Sequence, residues 1–325
     1  MKKMLFAVGS IAIIGLVIFA ISKNGQRPNT ASGKISVVTT LFPQYDFTKA
    51  IGGDKVDVTL LLPPGVEAHA YEPTPSDITT INNAEMFVYT GEFMELWAHD
   101  IIDSADKDVK VVDASVNIEI TKEREGEEHG DEETDHHESK EEEGHHHSDV
   151  DPHVWLDLAN AQIMSESIAR ALTEVDPANT EYYQTNLELY QTKLAELDNA
   201  YKNSLSTCGS RTIIYGGHYA FGYLAEKYDL EYVAAQGLSP DAEPTAQDLA
   251  TLIDQIKNND IKFVFYEELT SPKIAETLAS ETQAKMLLLN AAHNVSKEDL
   301  ENGTTFLSIM EKNLTNLKLG LQCDE

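Results

Sequence analysis

Basic residues are scarce in this sequence: 24 lysines and arginines stand against 55 aspartates and glutamates, a formal net charge of −31 over 325 residues. Nucleic-acid binding requires a basic face that neutralises phosphates, so this class of function is excluded. The two cysteines are too few for a small fold held together by disulfides. The motifs His-Glu-x-x-His and Gly-x-Ser-x-Gly of common hydrolases do not occur. Hydrophobic residues make up 42% of the chain, which excludes wholesale disorder.

A long apolar run lies at the N-terminus, over residues 4–21, after Lys2 and Lys3 and before a polar stretch. This order is typical of a secretory signal. As a helix the run would span about 27 Å, slightly less than the ~30 Å hydrocarbon core, so it predicts a cleaved signal or a single uncleaved anchor. No cysteine follows the run, so we do not expect a lipid-modified cysteine. We expect the protein to work outside the cytoplasm, in the periplasm or at the cell surface.

Export makes a disulfide possible between Cys208 and Cys323. It would tie the C-terminal tail to its lobe and contribute about 4–5 kcal/mol on the chain-entropy model. Two unrelated reduced cysteines are the alternative.

Short β-branched runs alternate with longer amphipathic stretches after the leader. Strands are predicted at 35–39, 56–61, 86–89, 109–112, 212–215, 231–234, 262–266 and 286–289. Helices are predicted at 42–51, 75–83, 93–102, 219–229, 245–258, 272–282 and 304–317. Strands that alternate with helices of this length form βαβ units. We therefore predict an α/β fold with two lobes, each a mainly parallel four-stranded sheet flanked by helices.

A continuous helical pattern separates the two sets of strands. Its apolar stripe consists of Tyr183, Leu187, Tyr190, Leu194, Leu197, Tyr201 and Leu205. With Asp176 as N-cap and Pro177 at the first helical position, the pattern predicts a stiff connector that stops near Gly209. An ordinary helix packed on the C-terminal sheet is the alternative. The predicted parts are a signal or anchor segment with linker (1–33), an N-terminal lobe (34–176), a linker helix (177–206) and a C-terminal lobe (207–325).

Residues 119–149 hold 14 acidic residues, 3 basic residues and 6 of the 11 histidines. So little apolar surface predicts a disordered loop inserted in the first lobe. Its histidines, together with the −11 charge, predict a weak auxiliary metal collector, a solvated tether being the alternative. These six histidines are His129, His136, His137, His145, His146 and His147.

Four of the other five histidines share one topological setting. His69, His218 and His293 each follow a predicted strand, and His153 precedes a helix. Ligands bind at the carboxyl ends of strands in open α/β sheets, so these histidines are expected to meet in the cleft between the lobes. Zinc takes three or four such imidazoles tetrahedrally, which predicts a metal site. His99, in a polar helical segment, is not expected to take part.

The local motifs around these histidines resemble the cluster A-I solute-binding proteins, the zinc and manganese receptors of ABC importers. The matching segments are 63–77 (PPGVEAHAYEPTPSD), 151–157 (DPHVWLD) and 216–224 (GGHYAFGYL). The resemblance covers about residues 35–320 and implies two lobes joined by a rigid helix. It also implies His69, His153 and His218 as metal ligands, with the His-rich acidic loop typical of the zinc-binding branch.

The resemblance further distinguishes between metals. Manganese-binding relatives carry a carboxylate where this sequence has His218, and imidazole suits zinc whereas oxygen donors suit manganese. The fourth position, which usually holds Asp, Glu or water, matches His293 in the segment 289–294 (LNAAHN). Glu267 or Glu268 could instead complete the set of ligands or offset the charge of the ion from nearby.

The function implied is an extracytoplasmic, monomeric, high-affinity zinc receptor without catalytic activity. It would deliver Zn²⁺ to a membrane permease driven by an ATPase. Since ligating imidazoles must be neutral, we expect metal affinity to fall as the pH drops below about 6.5. The alternatives are a manganese or iron receptor of the same family, a zinc hydrolase with Glu267 or Glu268 as general base, and an adhesin.

Overall fold

A computed structural model describes residues 33–105, 108–121, 150–240 and 243–324. Residues Ile35–Glu325 form one compact unit, and the architecture below is that of its described residues. The predicted leader up to residue 32, and positions 122–149 with all six histidines of the predicted collector, lie outside the described residues. In the four described stretches, no helix has both the length and the apolar character needed to cross a membrane.

Eight strands and ten α-helices alternate along the described residues. The strands are β1 (Ile35–Thr39), β2 (Val56–Leu60), β3 (Met86–Tyr89), β4 (Lys110–Asp113), β5 (Thr212–Tyr215), β6 (Glu231–Ala234), β7 (Phe263–Tyr266) and β8 (Lys285–Leu288). The helices are α1 (Phe42–Gly52), α2 (Pro75–Asn83), α3 (Ala98–Ser104), α4 (Leu158–Val175), α5 (Thr180–Leu205), α6 (Gly222–Lys227), α7 (Ala246–Asn258), α8 (Lys273–Thr282), α9 (Lys297–Glu301) and α10 (Phe306–Gly320).

The strands form two four-stranded sheets with the same topology. Their orders are β2-β1-β3-β4 and β6-β5-β7-β8, and every neighbouring pair is parallel. All carboxyl ends of a parallel sheet lie at one edge, so the loops that follow the strands are gathered there. The predicted fold class, two four-stranded parallel sheets flanked by helices, is confirmed.

Each sheet packs one face against a common core and the other against a core of its own. Neighbouring residues of a strand point to opposite faces. Val37 and Ile213, one from each sheet, point into the common core, which includes residues of α1, α4, α5 and α10. The next residue of each strand points to the opposite face. Val38 lies in the outer core under α2 and α3, and Ile214 in the outer core under α7 and α8. The two sheets thus share a continuous hydrophobic interior.

The long helix α5 contacts both halves of this interior. It packs on α4 and α1 near its start and on α10 near its end. The Tyr201 hydroxyl donates to the carbonyl of Met310 at 2.6 Å, and the Tyr190 hydroxyl donates to Asp46 of α1 at 3.3 Å. Beyond α5, a disulfide joins Cys208 to Cys323, which confirms the predicted pairing.

Two predicted helix starts are wrong for local reasons. The turn 177–179 is a tight 3₁₀ turn, and α5 begins at Thr180, because the Asp176 carboxylate accepts from Asn179 Nδ2 and the Tyr183 hydroxyl instead of capping an α-helix. The helix predicted at 93–102 begins only at Ala98.

The late start of α3 has a buried polar cause. The carboxylate of Glu95, 3% exposed, accepts hydrogen bonds from the backbone amides of Thr90 and Gly91 and from the Thr40 hydroxyl. These bonds hold residues 90–95 in turns after β3. Glu95, predicted to lie within a helix, instead precedes it, and its buried carboxylate accepts these hydrogen bonds.

Candidate metal centre

The structure brings together the four histidines that the sequence singled out. His69 lies on the loop after β2, His218 on the loop after β5 and His293 on the loop after β8, whereas His153 precedes the 3₁₀ turn Val154–Leu156 that leads into α4. One possible ligand atom from each imidazole lies within 4.8 Å of those of the other three. His99 is not part of this cluster. Its ring is exposed, and its Nε2 lies 3.7 Å from a carboxylate oxygen of Asp103.

The spacing of the rings is that of a tetrahedron. The six distances between ring centroids fall between 4.9 and 5.4 Å. Nε2 of His153 lies 3.1 Å from Nε2 of His69 and 3.3 Å from Nε2 of His218. Four nitrogens at 2.0–2.1 Å around a tetrahedral zinc ion are separated by about 3.3 Å. The geometry of the donor atoms therefore fits a tetrahedral cation.

Asp151 fixes the ring of His153. Its Oδ1 lies 2.7 Å from Nδ1 of His153 and also accepts the backbone N–H of His153 at 3.0 Å. An acceptor at Nδ1 places the ring proton there and leaves Nε2 as a lone-pair donor for the cluster. Gly222 makes room for this carboxylate, since a Cβ at that position would lie 2.6 Å from Oδ2 of Asp151.

The carboxylate of Glu267 lies beside the ring of His218. Its Oε1 lies 2.7 Å from Nδ1 of His218. Gly217 permits this approach, because a Cβ there would lie 2.7 Å from the other carboxylate oxygen of Glu267. The predicted alternative in which Glu267 takes a place among the ligands is therefore not the arrangement in the structure, where its carboxylate faces the far side of an imidazole.

His293 lies on a segment with a constrained backbone. Ala292, the residue before it, has a φ of 59°, and its amide donates to Oδ1 of Asn290 at 2.7 Å. Glu268 accepts the amide of Ala291 at 3.1 Å on both carboxylate oxygens, which places it behind the segment. Nε2 of His293 is buried and has no hydrogen-bond partner among the described residues. Such an orphaned acceptor is costly unless a ligand uses it.

Burial favours the neutral form of His69, His153 and His293. Desolvation lowers the pKa of His69 to about 3 and lowers those of His153 and His293 well below the ordinary value, with the neighbouring imidazoles adding to the effect. Burial also raises the pKa of Glu268 to about 8, with the charge of Glu267 as the second cause. Burial therefore favours the protonated form of the Glu268 carboxyl in the metal-free protein. Protons therefore compete with a metal ion for His69 only well below pH 6.5, the value expected for an ordinary imidazole.

Asp151 was not predicted as a partner of a ligand, although it lies two residues before His153. The available signals were its position in the Asp-Pro-His motif and Gly222, which makes room for its carboxylate.

Comparison with known proteins agrees with this geometry. The family model described as "ZnuA: Zinc-uptake complex component A periplasmic" matches residues 37–320. The chain is 42% identical to the high-affinity zinc uptake system protein ZnuA of Bacillus subtilis over 88% of this chain and 87% of that protein. It is 39% identical to the zinc-binding lipoprotein AdcA of Streptococcus pneumoniae (strain ATCC BAA-255 / R6), over 98% of this chain but only 61% of AdcA, so it spans about three fifths of that relative.

A solved structure extends the comparison to the fold. The crystal structure of the Zn(II)-bound ZnuA-like domain of Streptococcus pneumoniae AdcA superposes with a TM-score of 0.73 at 36% identity, covering 89% of this chain and 99% of that one. The residues that the family model matches, 37–320, include all four histidines of the cluster. The chain belongs to the ZnuA family of zinc-uptake components.

Proposed function

We propose that this protein captures a zinc ion outside the cytoplasm and delivers it to the permease of an ABC importer. The observation that carries the proposal is the convergence of four imidazoles, three of them buried, at tetrahedral spacing. In this proposal Nε2 atoms of His69, His153 and His218 and a ring nitrogen of His293 replace the water around the ion. The protein acts by coordination, as a receptor rather than an enzyme.

Charge balance supports a divalent ion in this place. Four neutral imidazoles leave the +2 charge of zinc unchanged, and the two carboxylates of Asp151 and Glu267 lie directly behind two of the rings. Ion, imidazoles and carboxylates together then carry no net charge, which lowers the cost of burying the ion.

The donor set favours zinc over manganese or iron. Imidazole nitrogens are borderline ligands that suit zinc, whereas manganese favours carboxylate and carbonyl oxygens. With four histidines bound, a tetrahedral ion has no open position for a reactive water, which a zinc hydrolase needs. The receptor is therefore the function that the donor set favours.

The remaining parts of the proposal rest on the sequence. The His- and acid-rich segment 119–149 acts as an auxiliary collector of weakly bound metal, and the apolar run at 4–21 directs export or anchors the chain. The division into lobes at 34–176 and 207–325 with a linker helix at 177–206 is kept as part of the proposal. The chain acts as a monomer, with the permease and its ATPase as partners. AdcA is named a lipoprotein, whereas we expect no lipid-modified cysteine in this chain. A search for a covalently attached lipid on the purified protein tests this expectation.

Metal analysis of the purified protein tests this function. We expect one tightly bound zinc per chain, lost in the His218→Ala variant and unaffected by a tenfold excess of manganese. Deletion of residues 119–148 should remove weak additional equivalents and leave the tight site. Tighter binding of manganese than zinc, or an unchanged zinc content in His218→Ala, contradicts the proposal.

A further inference from the structure

A polar strap joins the loop that carries His69 to the segment that carries His293. Asn294, the residue after His293, is 1% exposed. Its Nδ2 donates to the carbonyl of Pro63 at 2.7 Å and to that of Val66 at 2.9 Å. The backbone adds a third bond, because the amide of Gly65 donates to the carbonyl of Val295 at 2.9 Å. The strap thus consists of three hydrogen bonds between the two segments.

The strap connects the two halves of the molecule beside the histidine cluster. The His69 loop follows β2 of the first sheet, whereas the segment with Asn294 follows β8 of the second. Val66 lies three residues before His69, and Asn294 directly follows His293. A change in the strap therefore alters the distance between imidazoles that come from different sheets.

The His69 loop has little other regular support. Residues 61–74 contain no helix or strand, and positions 63–66 are exposed. In contrast, the Asn294 side chain is held on its own side by the amide of Val295, which donates to its Oδ1 at 2.8 Å. The amide nitrogen is thereby oriented toward the loop carbonyls. A rigid donor from one sheet holds an otherwise irregular loop from the other.

We propose that Asn294 is a positioning residue that fastens the His69 loop over the metal site and sets the rate at which the site opens. The inference rests on the proposed zinc-binding function. With the strap formed, His69 closes the tetrahedron. When its bonds break, the His69 loop moves away while His153, His218 and His293 stay in the common interior, so the ion is exposed at one corner.

Two variants of Asn294 test this role. Asn294→Asp has nearly the same shape but replaces both N–H donors with an oxygen that faces two carbonyl oxygens, and Asn294→Ala removes the donors without adding charge. Asn302→Asp makes the same chemical change at an exposed position near the end of α9. We expect both Asn294 variants to release zinc to a chelator at least about tenfold faster, and Asn302→Asp to release it at the wild-type rate.

Two further measurements separate positioning from a general loss of structure. The visible spectrum of the Co²⁺-loaded variants should stay that of a tetrahedral site, with one metal per chain. Amide hydrogen exchange at Gly65 in metal-free protein should be faster in both variants, while exchange within α4 is unchanged. Unchanged zinc release and unchanged Gly65 exchange overturn the inference. If wild-type protein binds no zinc, the proposed function fails, and Gly65 exchange still decides whether Asn294 holds the loop.

Discussion

His69 and the other three histidines of the cluster are held in different ways. His153, His218 and His293 are at most 6% exposed, and the first two have a carboxylate 2.7 Å behind the ring. His69 is partly exposed and lies on a loop without regular secondary structure. Its loop is stabilised by the Glu67 carboxylate, which accepts the amides of His69 at 2.9 Å and Ala70 at 2.8 Å.

This difference suggests a division of labour within one site. Three imidazoles are fixed because moving them would disturb a close-packed core that both sheets share. The fourth lies on a loop that is held by a few hydrogen bonds and by the packing of Ala68 in this core, so we expect it to move at a smaller cost. A receptor that must release its ion can therefore open one corner of the site without separating the sheets. The following predictions test this comparison in order of decreasing effect.

The largest effect is expected for His153→Ala. A zinc site of four ligands binds with about 10–16 kcal/mol, so one ligand contributes roughly 3–4 kcal/mol, or a 10²- to 10³-fold change in affinity. Because His153 is 0% exposed, water cannot readily replace it, and we expect a loss near a thousandfold. Competition with a chelator of known affinity measures it. His99→Ala, at an exposed position, is the control, and a loss below tenfold for His153→Ala contradicts the site.

His69→Ala should have a smaller effect, about a hundredfold or less in affinity. The remaining three histidines and a water molecule at the exposed corner still form a common zinc environment. The same chelator competition measures the affinity, and stopped-flow mixing should show faster release than in wild type. Equal losses of zinc affinity for His69→Ala and His153→Ala would contradict the difference between the histidine on the loop and those in the core.

Glu267→Gln tests the support behind a fixed ring. Glutamine still offers an oxygen to Nδ1 of His218 but removes the negative charge, so we expect about a tenfold loss of zinc affinity, at the low end for such partners. Asp151→Asn should behave similarly. The exposed Glu276→Gln is the matched control. Wild-type affinity in both Glu267→Gln and Asp151→Asn would show that the carboxylates do not tune the rings.

A separate prediction concerns the stability of the metal-free protein. The pKa of His69 is about 3 when folded and near 6.5 when unfolded, so below pH 6.5 the unfolded chain takes up a proton that the folded chain does not. The contribution of His69 to stability is therefore complete above pH 6.5 and is lost as the pH falls toward 3. Relative to His69→Gln, wild type should lose at most about 1.4 kcal/mol per pH unit.

Denaturant unfolding of both proteins at each pH measures this difference. Buried carboxyls act with the opposite sign, since burial raises the pKa of Glu95 to about 7 and of Glu268 to about 8, so their contribution is lost as the pH rises through these values. They are present in both proteins and cancel in the comparison. Parallel pH profiles for wild type and His69→Gln would contradict the lowered pKa of His69.

Much of the architecture follows from local sequence patterns. Strands β1, β3, β5 and β6 lie at the predicted residues. Short runs rich in β-branched and aromatic residues and bounded by turn residues favour strands. The starts of α3 and α5 were missed because Glu95 and Asp176 accept hydrogen bonds from groups that become neighbours only after folding. Propensity alone does not contain such contacts.

The cluster itself was predictable from where the histidines lie relative to the strands, and its equal spacing was not. Topology brings loops to one edge, but the six ring distances depend on how α4 and the two sheets pack. Likewise, the pairing of Asp151 with His153 and of Glu267 with His218 depends on glycines that make room for each carboxylate.

The sequence by itself determined the chemical nature of the site: which residues can donate nitrogen, which strands precede them, and which charges are available. Only the tertiary structure decided which imidazoles are buried, which one lies on a loop at the edge of the site, and that Asn294 links this loop to the other sheet. The physical reason is that burial and distance are properties of the packed chain. The type of side chain determines that a histidine can donate nitrogen. The pKa of the imidazole and its freedom to move depend on the atoms that folding places around it.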